Sequence, residues 1–159
     1  MAKSLQYVHQ KGFIHRDVCP RNFICSTDYK TVKLIDFGLT VPAQPPFMQP
    51  GNRTGTPLYM APEIVRRRET DKRVDIFAFG VTAYHICTYK LPWATKDTSG
   101  MAALSHDTVK PTPITEYCPT IAPELATLIH KCFSVDPDQR PNSFESVLTA
   151  LRRIQQTAN

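Results

Sequence analysis

The 159-residue sequence contains no apolar run long enough to cross a lipid bilayer. Its longest apolar-rich stretch without a charged residue covers residues 76–89, which is shorter than the roughly 20 residues that a membrane helix needs. We therefore predict a buried core helix there and no membrane segment. The first residues also lack a basic start followed by an apolar run and a small-residue cleavage site, so we predict no secretory signal peptide.

Cysteine spacings typical of a zinc ribbon or of a disulfide framework are absent as well. The cysteines are Cys19, Cys25, Cys87, Cys118 and Cys132. Their number is odd and no pair has C-x-x-C spacing, which argues against both kinds of site. We predict reduced thiols and a cytoplasmic location.

The composition is that of one soluble globular domain. Apolar residues make up 42% of the chain and charged residues 21%, with a net charge of +5. Much of the positive charge lies in one cluster, formed by Arg66, Arg67, Arg68, Lys72 and Arg73. No aromatic side chains are interleaved with this cluster, so we do not expect a nucleic-acid partner.

Local patterns predict a mainly α-helical chain of the α+β class with one small β-hairpin. Ala2–Gln10 has apolar residues at helical spacing and precedes Gly12, a common helix stop. Phe23–Cys25 and residues 32–35 are short, β-prone segments separated by a turn, as in a hairpin. Because the sequence starts within a helical pattern, we expect a further N-terminal portion of the domain.

Further helices are predicted over residues 62–68, 74–89 and 122–133. The second of these is apolar almost all round, which is typical of a buried helix. Residues 41–54 contain four prolines and predict a loop. Asn142, with Glu145 three residues later, has the spacing of a capping box and predicts the start of a last helix.

A series of short motifs carries the chemistry of the sequence. In chain order they are His15-Arg16-Asp17 with Asn22, Asp36-Phe37-Gly38, Gly55-Thr56-Pro57-Leu58-Tyr59-Met60, Ala61-Pro62-Glu63, Asp75 with Gly80, and Asp138-Gln139-Arg140-Pro141. Carboxylate and amide oxygens are suitable ligands for a hard cation such as Mg²⁺. Phosphoryl transfer uses such groups to position a hydroxyl and to neutralise charge.

The motifs, in this order and at these separations, resemble those of protein kinases of the serine/threonine type. The resemblance runs from about residue 4 to residue 154. It implies that residues 1–159 form the C-terminal lobe of a kinase domain, a helical bundle with a small hairpin. The catalytic loop would cover residues 15–22 and the activation segment residues 36–63. The N-terminal lobe, with its Gly-rich loop and lysine, would be absent from this chain.

The resemblance also implies an activity and a role for each site residue. The chain would transfer the γ-phosphate of ATP to serine or threonine hydroxyls of a protein substrate. Asp17 would accept the hydroxyl proton, while Asn22 and Asp36 would hold Mg²⁺ and the bound nucleotide. Thr56 would form a hydrogen bond near Asp17 and favour serine or threonine over tyrosine.

Five other residues have structural roles in the resemblance. His15 and Phe37 would stack on one another, and Asp75 would brace the backbone of the catalytic loop. Glu63 and Arg140 would form a buried ion pair, in which each charge depends on the other.

The catalytic loop departs from the family pattern at Cys19. Serine/threonine kinases usually have a lysine there, two residues after the catalytic aspartate, and a neutral thiol cannot supply its positive charge to the phosphate. Arg21, four residues after Asp17, is a candidate replacement, as in many receptor tyrosine kinases. The alternative is that Arg21 simply faces solvent.

A second hypothesis is a catalytically inactive, protein-binding module built on the kinase lobe. Cys19 and the missing N-terminal lobe motivate it. Such a module would bind a protein through the face formed by Arg66, Arg67 and Arg68 or through a groove near Trp93.

Overall fold

Helices dominate the computed structural model, which describes residues 1–51, 53–93 and 102–157. The elements in these ranges are α1 (Ala2–Gln10), β1 (Phe13–Ile14), β2 (Phe23–Cys25), β3 (Val32–Leu34), β4 (Val41–Pro42), α2 (Pro45–Met48), α3 (Pro62–Val65), α4 (Arg73–Thr88), α5 (Ile114–Tyr117), α6 (Pro123–Cys132) and α7 (Phe144–Thr157). The prediction of a mainly α-helical chain with a small hairpin is confirmed. Among the described helices, none has the length and apolarity required to cross a membrane.

The strands form two separate antiparallel pairs. Strands β2 and β3 make the predicted hairpin, with Phe23 opposite Leu34 and Cys25 opposite Val32. Strand β1 pairs with β4, a contact between short segments that the sequence pattern does not reveal. Residues 15–22, the predicted catalytic loop, connect β1 of one pair to β2 of the other.

Helix α4 is the centre of the core, and the burial of every residue from 74 to 82 confirms the buried helix predicted there. Its last turn differs from the prediction, because Ile86 and Cys87 are exposed and the helix ends at Thr88. It packs against α6 so closely that a Cβ added to Gly80 would lie 2.7 Å from the Cβ of Cys132. The helix ends where Tyr89 adopts a left-handed conformation, with φ +55°.

Three predicted boundaries are corrected by the structure. Residues 41–54 are not one continuous loop, since β4 and α2 lie within them. The helix predicted over residues 62–68 ends at Val65, and Arg67 beyond it has a left-handed backbone with φ +53°. Ser143, rather than Asn142, caps α7, because the backbone N–H of Ser146 donates to its side-chain oxygen at 3.3 Å.

Trp93 itself lies in the core, so its ring offers almost no surface to a partner, whereas a groove near it stays a prediction because residues 94–101 lie outside the described part of the chain. Only 3% of Trp93 is exposed, and its ring stacks on His106 with 4.2 Å between ring centroids. The indole N–H donates to the carbonyl oxygen of Val109. His106 is buried as well, and its Nδ1 lies 2.8 Å from the carbonyl oxygen of Met60.

Mild acid is expected to destabilise the fold through His106. Burial lowers the pKa of His106 from its ordinary value of 6.5. Between the two pKa values the unfolded chain therefore binds more protons than the folded chain, so the free energy of unfolding decreases as the pH falls below about 6.5. Urea unfolding at about pH 7.5 and about pH 5.5 measures this decrease.

The variant His106→Gln should show a smaller pH dependence than the unchanged protein. Part of the dependence will remain, because burial also lowers the pKa of His130. If the free energy of unfolding of His106→Gln depended on pH as strongly as that of the unchanged protein, the assignment to His106 would be contradicted.

Candidate active site

The carboxylate of Asp17 is held by backbone and side-chain donors from two segments. Its Oδ1 accepts hydrogen bonds from the backbone N–H of Thr56 at 2.8 Å and from the Thr56 hydroxyl at 2.6 Å. Its Oδ2 accepts a bond from the side-chain amide of Asn22 at 3.0 Å. These bonds bring together three of the five residues proposed for catalysis and metal binding, and a fourth, Arg21, joins them through a bond to Thr56.

Asn22 is oriented by the loop that it belongs to. It lies in a short 3-10 turn, Pro20–Asn22, and is 6% exposed. Its Nδ2 donates both to the side chain of Asp17 and to the Asp17 carbonyl oxygen, the latter at 2.7 Å. Because both bonds use the nitrogen, the side-chain oxygen remains to act as a cation ligand.

One carboxylate from α4 braces the start of the catalytic loop. Asp75, which is 1% exposed, accepts hydrogen bonds from the backbone N–H groups of His15 and Arg16, both at 2.8 Å. This is the contact implied by the family resemblance. Arg16 has φ +67°, a conformation that is uncommon for a residue other than glycine and that the two hydrogen bonds help to maintain.

The sequence did not reveal the part played by His9. Its Nε2 lies 2.7 Å from Asp75, so helix α1 shares the carboxylate that braces the loop. His9 also packs against Phe144, with 5.0 Å between ring centroids. Nothing in the helical pattern of Ala2–Gln10 distinguishes this histidine from an ordinary partly buried side chain.

His15 connects the catalytic loop to the stretch that contains Asp36. Its Nδ1 accepts from the backbone N–H of Asp17, and its Nε2 lies 3.3 Å from the carbonyl oxygen of Ile35. Since a backbone N–H donates to Nδ1, the ring proton belongs on Nε2, where it can donate to Ile35. The ring also contacts Phe37 with 5.2 Å between ring centroids, but the two rings meet edge-on instead of stacking as the resemblance implies, and Phe37 is exposed.

Asp36 follows β3 by two residues, at a point where the chain runs next to Asn22. The backbone N–H of the preceding residue, Ile35, donates to the carbonyl oxygen of Asn22 at 2.9 Å. Asp36 is exposed, has φ +61°, and accepts a hydrogen bond from the backbone N–H of Gly38 at 3.2 Å. A shared cation between Asp36 and Asn22 stays a prediction.

Arg21 and Cys19 both lie close to Thr56, but Arg21 is at the surface and Cys19 is in the interior. Arg21 is exposed, and its Nη2 donates to the Thr56 hydroxyl oxygen at 3.2 Å. Cys19 is fully buried, with its sulfur 3.8 Å from the same oxygen. Arg21 therefore reaches the hydroxyl that contacts Asp17, whereas the thiol occupies an interior position.

Comparison with known proteins agrees with this arrangement. The sequence model described as the protein kinase domain matches residues 1–151. The chain belongs to the protein kinase family.

Relatives named as serine/threonine-protein kinases cover nearly the whole of this kinase chain. CTR1 of Arabidopsis thaliana is 29% identical over 160 residues, covering 99% of this chain and 19% of the relative. VIK of the same plant is 33% identical over 164 residues, covering 99% and 36% respectively. ULK3 of Xenopus laevis is 36% identical over 151 residues, covering 91% and 31%. The kinase chain thus spans at most 36% of the length of these three relatives.

The segment that follows Thr56 is fixed to the core of the kinase chain. The Tyr59 hydroxyl lies 2.6 Å from Nδ1 of His85 on α4. Burial raises the pKa of Tyr59 to about 12, so the hydroxyl is a neutral donor at pH 7. With the contact between Met60 and His106, this bond leaves little freedom to the backbone next to Thr56.

Gly55 permits the close approach of this segment to Arg16 in the predicted catalytic loop of the kinase chain. Its φ is +125°, and a Cβ added there would lie 2.8 Å from the carbonyl oxygen of Arg16. Gly55→Ala should therefore displace Thr56 from Asp17 and lower the rate of phosphate transfer about 10²-fold. The measurement is the transfer rate at saturating ATP, with circular dichroism to confirm that the variant folds.

Gly51→Ala is the matched control for Gly55→Ala. A Cβ at Gly51 would meet its nearest neighbour, the carbonyl oxygen of Gln49, at an ordinary distance of 3.7 Å. An equal loss of transfer in both variants would show that the close approach to Arg16 is not the cause.

Proposed function

We propose that this chain is the C-terminal lobe of a serine/threonine protein kinase and transfers the γ-phosphate of ATP to protein hydroxyls. In this proposal residues 1–159 form the lobe, with the catalytic loop at 15–22 and the activation segment at 36–63. The observation that carries the proposal is the Asp17 carboxylate held between Thr56 and Asn22.

The hydrogen bonds suggest which oxygen of Asp17 receives the substrate proton. Oδ1 already accepts two bonds from Thr56, whereas Oδ2 accepts one from Asn22. A carboxylate oxygen has two lone-pair sites, so Oδ2 retains one for the substrate hydroxyl. That hydroxyl oxygen bonds to the γ-phosphorus while the bond from this phosphorus to ADP breaks, and Asp17 takes up the hydroxyl proton.

The oxygen atoms of Asn22 and Asp36 fit Mg²⁺ bound together with a nucleotide. Magnesium commonly takes one or two protein oxygen ligands and completes its coordination with phosphate oxygens and water. The cation would neutralise charge on the phosphates.

Arg21 supplies the positive charge that Cys19 cannot provide. Its bond to the Thr56 hydroxyl keeps a guanidinium group close to Asp17, and its exposure leaves other N–H groups available to a phosphate. Thr56, which contacts both residues, would favour the short hydroxyl side chains of serine and threonine.

A binding module without catalysis is the second candidate. The observation that favours it is the neutral, fully buried Cys19 in place of the usual lysine. This module would retain the fold and bind proteins, but would transfer no phosphate.

The test is transfer of radiolabelled phosphate from ATP by the longest translated product that contains residues 1–159. We expect Mg²⁺-dependent labelling of peptides that carry serine or threonine, and much weaker labelling of matched tyrosine peptides. Arg21→Gln should reduce transfer more than Arg21→Lys. No transfer to any of the peptides, from a folded protein, would favour the binding module.

A further inference from the structure

We propose that an arginine surface, defined by Arg53, Arg67 and Arg68, selects protein substrates with acidic residues near the phosphorylated hydroxyl. Its placement beside the substrate rests on the proposed function, but its binding of acidic peptides can be measured independently. All three arginines are exposed.

Chain connectivity brings the arginine surface close to Asp17. Arg53 precedes Thr56 by three residues, so their Cα atoms are separated by about 11 Å at most. The Nε of Arg53 donates to the carbonyl oxygen of Val65 at 2.7 Å, which joins this arginine to the segment carrying Arg67 and Arg68. Acidic side chains a few residues from a hydroxyl bound at Asp17 would therefore reach the surface.

Arg67 has a backbone conformation that is unfavourable for an arginine. After α3, the N–H of Arg67 donates to Ile64 and the N–H of Arg68 donates to Glu63, a pattern known as a Schellman motif. Arg67 has φ +53° at the position where glycine is usual. A residue with a left-handed backbone that glycine would adopt more readily points to a use for its side chain.

The charges of the arginine surface are available to a ligand. The neighbouring Arg66 is already engaged, with its guanidinium bonded to both carboxylate oxygens of Asp107 at 2.7 and 2.9 Å. Glu63 behind the surface is paired with Arg140 in the interior. By contrast, Arg67 and Arg68 form no direct ion pair within the part of the chain that the structure describes, although Arg68 is near enough to Asp107 to help lower the pKa of that carboxyl.

The chemistry of the surface favours a carboxylate-bearing peptide over nucleic acid. Guanidinium groups bind carboxylates with paired, charge-assisted hydrogen bonds. Recognition of single-stranded nucleic acid usually adds aromatic side chains on which bases stack. Between residues 53 and 73, all of which are described, no large hydrophobic side chain is exposed.

The experiment compares binding of three fluorescent serine peptides that differ only in having acidic, neutral or basic flanking residues. Anisotropy titrations use the full protein at about 0.05 M and about 0.5 M salt. We expect the acidic peptide to bind tightest, with a preference that weakens at high salt. Arg67→Gly should weaken its binding about threefold to fivefold, whereas Arg67→Lys should change it less than about twofold.

The thermal unfolding of Arg67→Gly separates recognition from folding. Because glycine suits the left-handed backbone, the melting temperature should stay the same or rise while acidic-peptide binding falls. Arg152→Gln, at an exposed position on α7, is the control for loss of one positive charge and should bind the peptide normally.

Each result has a distinct meaning. Equal binding of the acidic and neutral peptides, or unchanged binding by Arg67→Gly, would overturn the proposed specificity. Tighter binding of a single-stranded RNA, lost in the same variant, would assign the surface to nucleic acid instead. If acidic peptides bind through Arg67 but no phosphate is transferred, the surface proposal stands and the catalytic proposal fails.

Discussion

Replacing Asp17 by asparagine should lower the rate of phosphate transfer about 10²- to 10⁴-fold, the usual range for loss of a positioned proton acceptor. Asparagine can still accept hydrogen bonds from Thr56 through its oxygen. Its side-chain nitrogen, however, would face the Nδ2 of Asn22, which is also a donor. The variant therefore loses both the proton acceptor and the bond that orients Asn22. Steady-state transfer to a threonine peptide measures the effect.

Glu124→Gln is the matched control for this variant. It removes one negative charge from an exposed position on α6 and should leave transfer unchanged. Thermal unfolding should show that Asp17→Asn remains folded. A folded Asp17→Asn protein with normal activity would refute the role assigned to Asp17.

Replacing Glu63 by leucine should destabilise the fold by about 3–5 kcal/mol, since it leaves the charge of Arg140 buried without its partner. The two side chains form a double hydrogen bond, at 2.6 and 2.9 Å, and the Arg140 side chain has no exposed surface. The remaining N–H groups of Arg140 donate to backbone carbonyl oxygens of Arg73, Ser134 and Val135. The free energy of unfolding in urea measures the loss.

The double variant Glu63→Leu/Arg140→Met should be less destabilised than the sum of the two single variants predicts, because it removes both buried charges. It should not regain full stability, since the carbonyl oxygens that Arg140 satisfies would lose their donor. The exposed pair of Glu145 and Arg152, 3.7 Å apart, is the control, and its removal should change stability by less than about 1 kcal/mol. Additive single effects at Glu63 and Arg140 would contradict a coupled buried pair.

The features that could be predicted from sequence depend on short-range patterns or on specific motifs. The hairpin followed from two β-prone segments and a turn, and α4 from its continuous apolar character. The contacts of Asp75 and the pair of Glu63 and Arg140 followed from the family motifs. The family motifs also led us to expect the contact between Asp17 and Thr56, although the two residues are 39 positions apart in the sequence.

The features that could not be predicted arise from contacts between distant segments. Residues 41–54 looked like a loop, but the N–H of Ala43 bonds to the Gly12 carbonyl and the N–H of Thr70 to that of Met48. These bonds stabilise short elements that have little propensity of their own. The left-handed backbone at Arg67 was likewise hidden, because its residue type favours continuing the helix.

The hydrogen bonds to Asp75 have a consequence for how the catalytic loop keeps its shape. The N–H groups of His15 and Arg16 point to a side chain about 60 positions later in the chain, instead of to a neighbouring strand. The first turn of α4 therefore fixes the backbone conformation of His15 and Arg16. A fluctuation that lifts this turn would break the hydrogen bonds to the loop and the contact with His9 of α1 at the same time, so the shape of the loop depends on the docking of that turn.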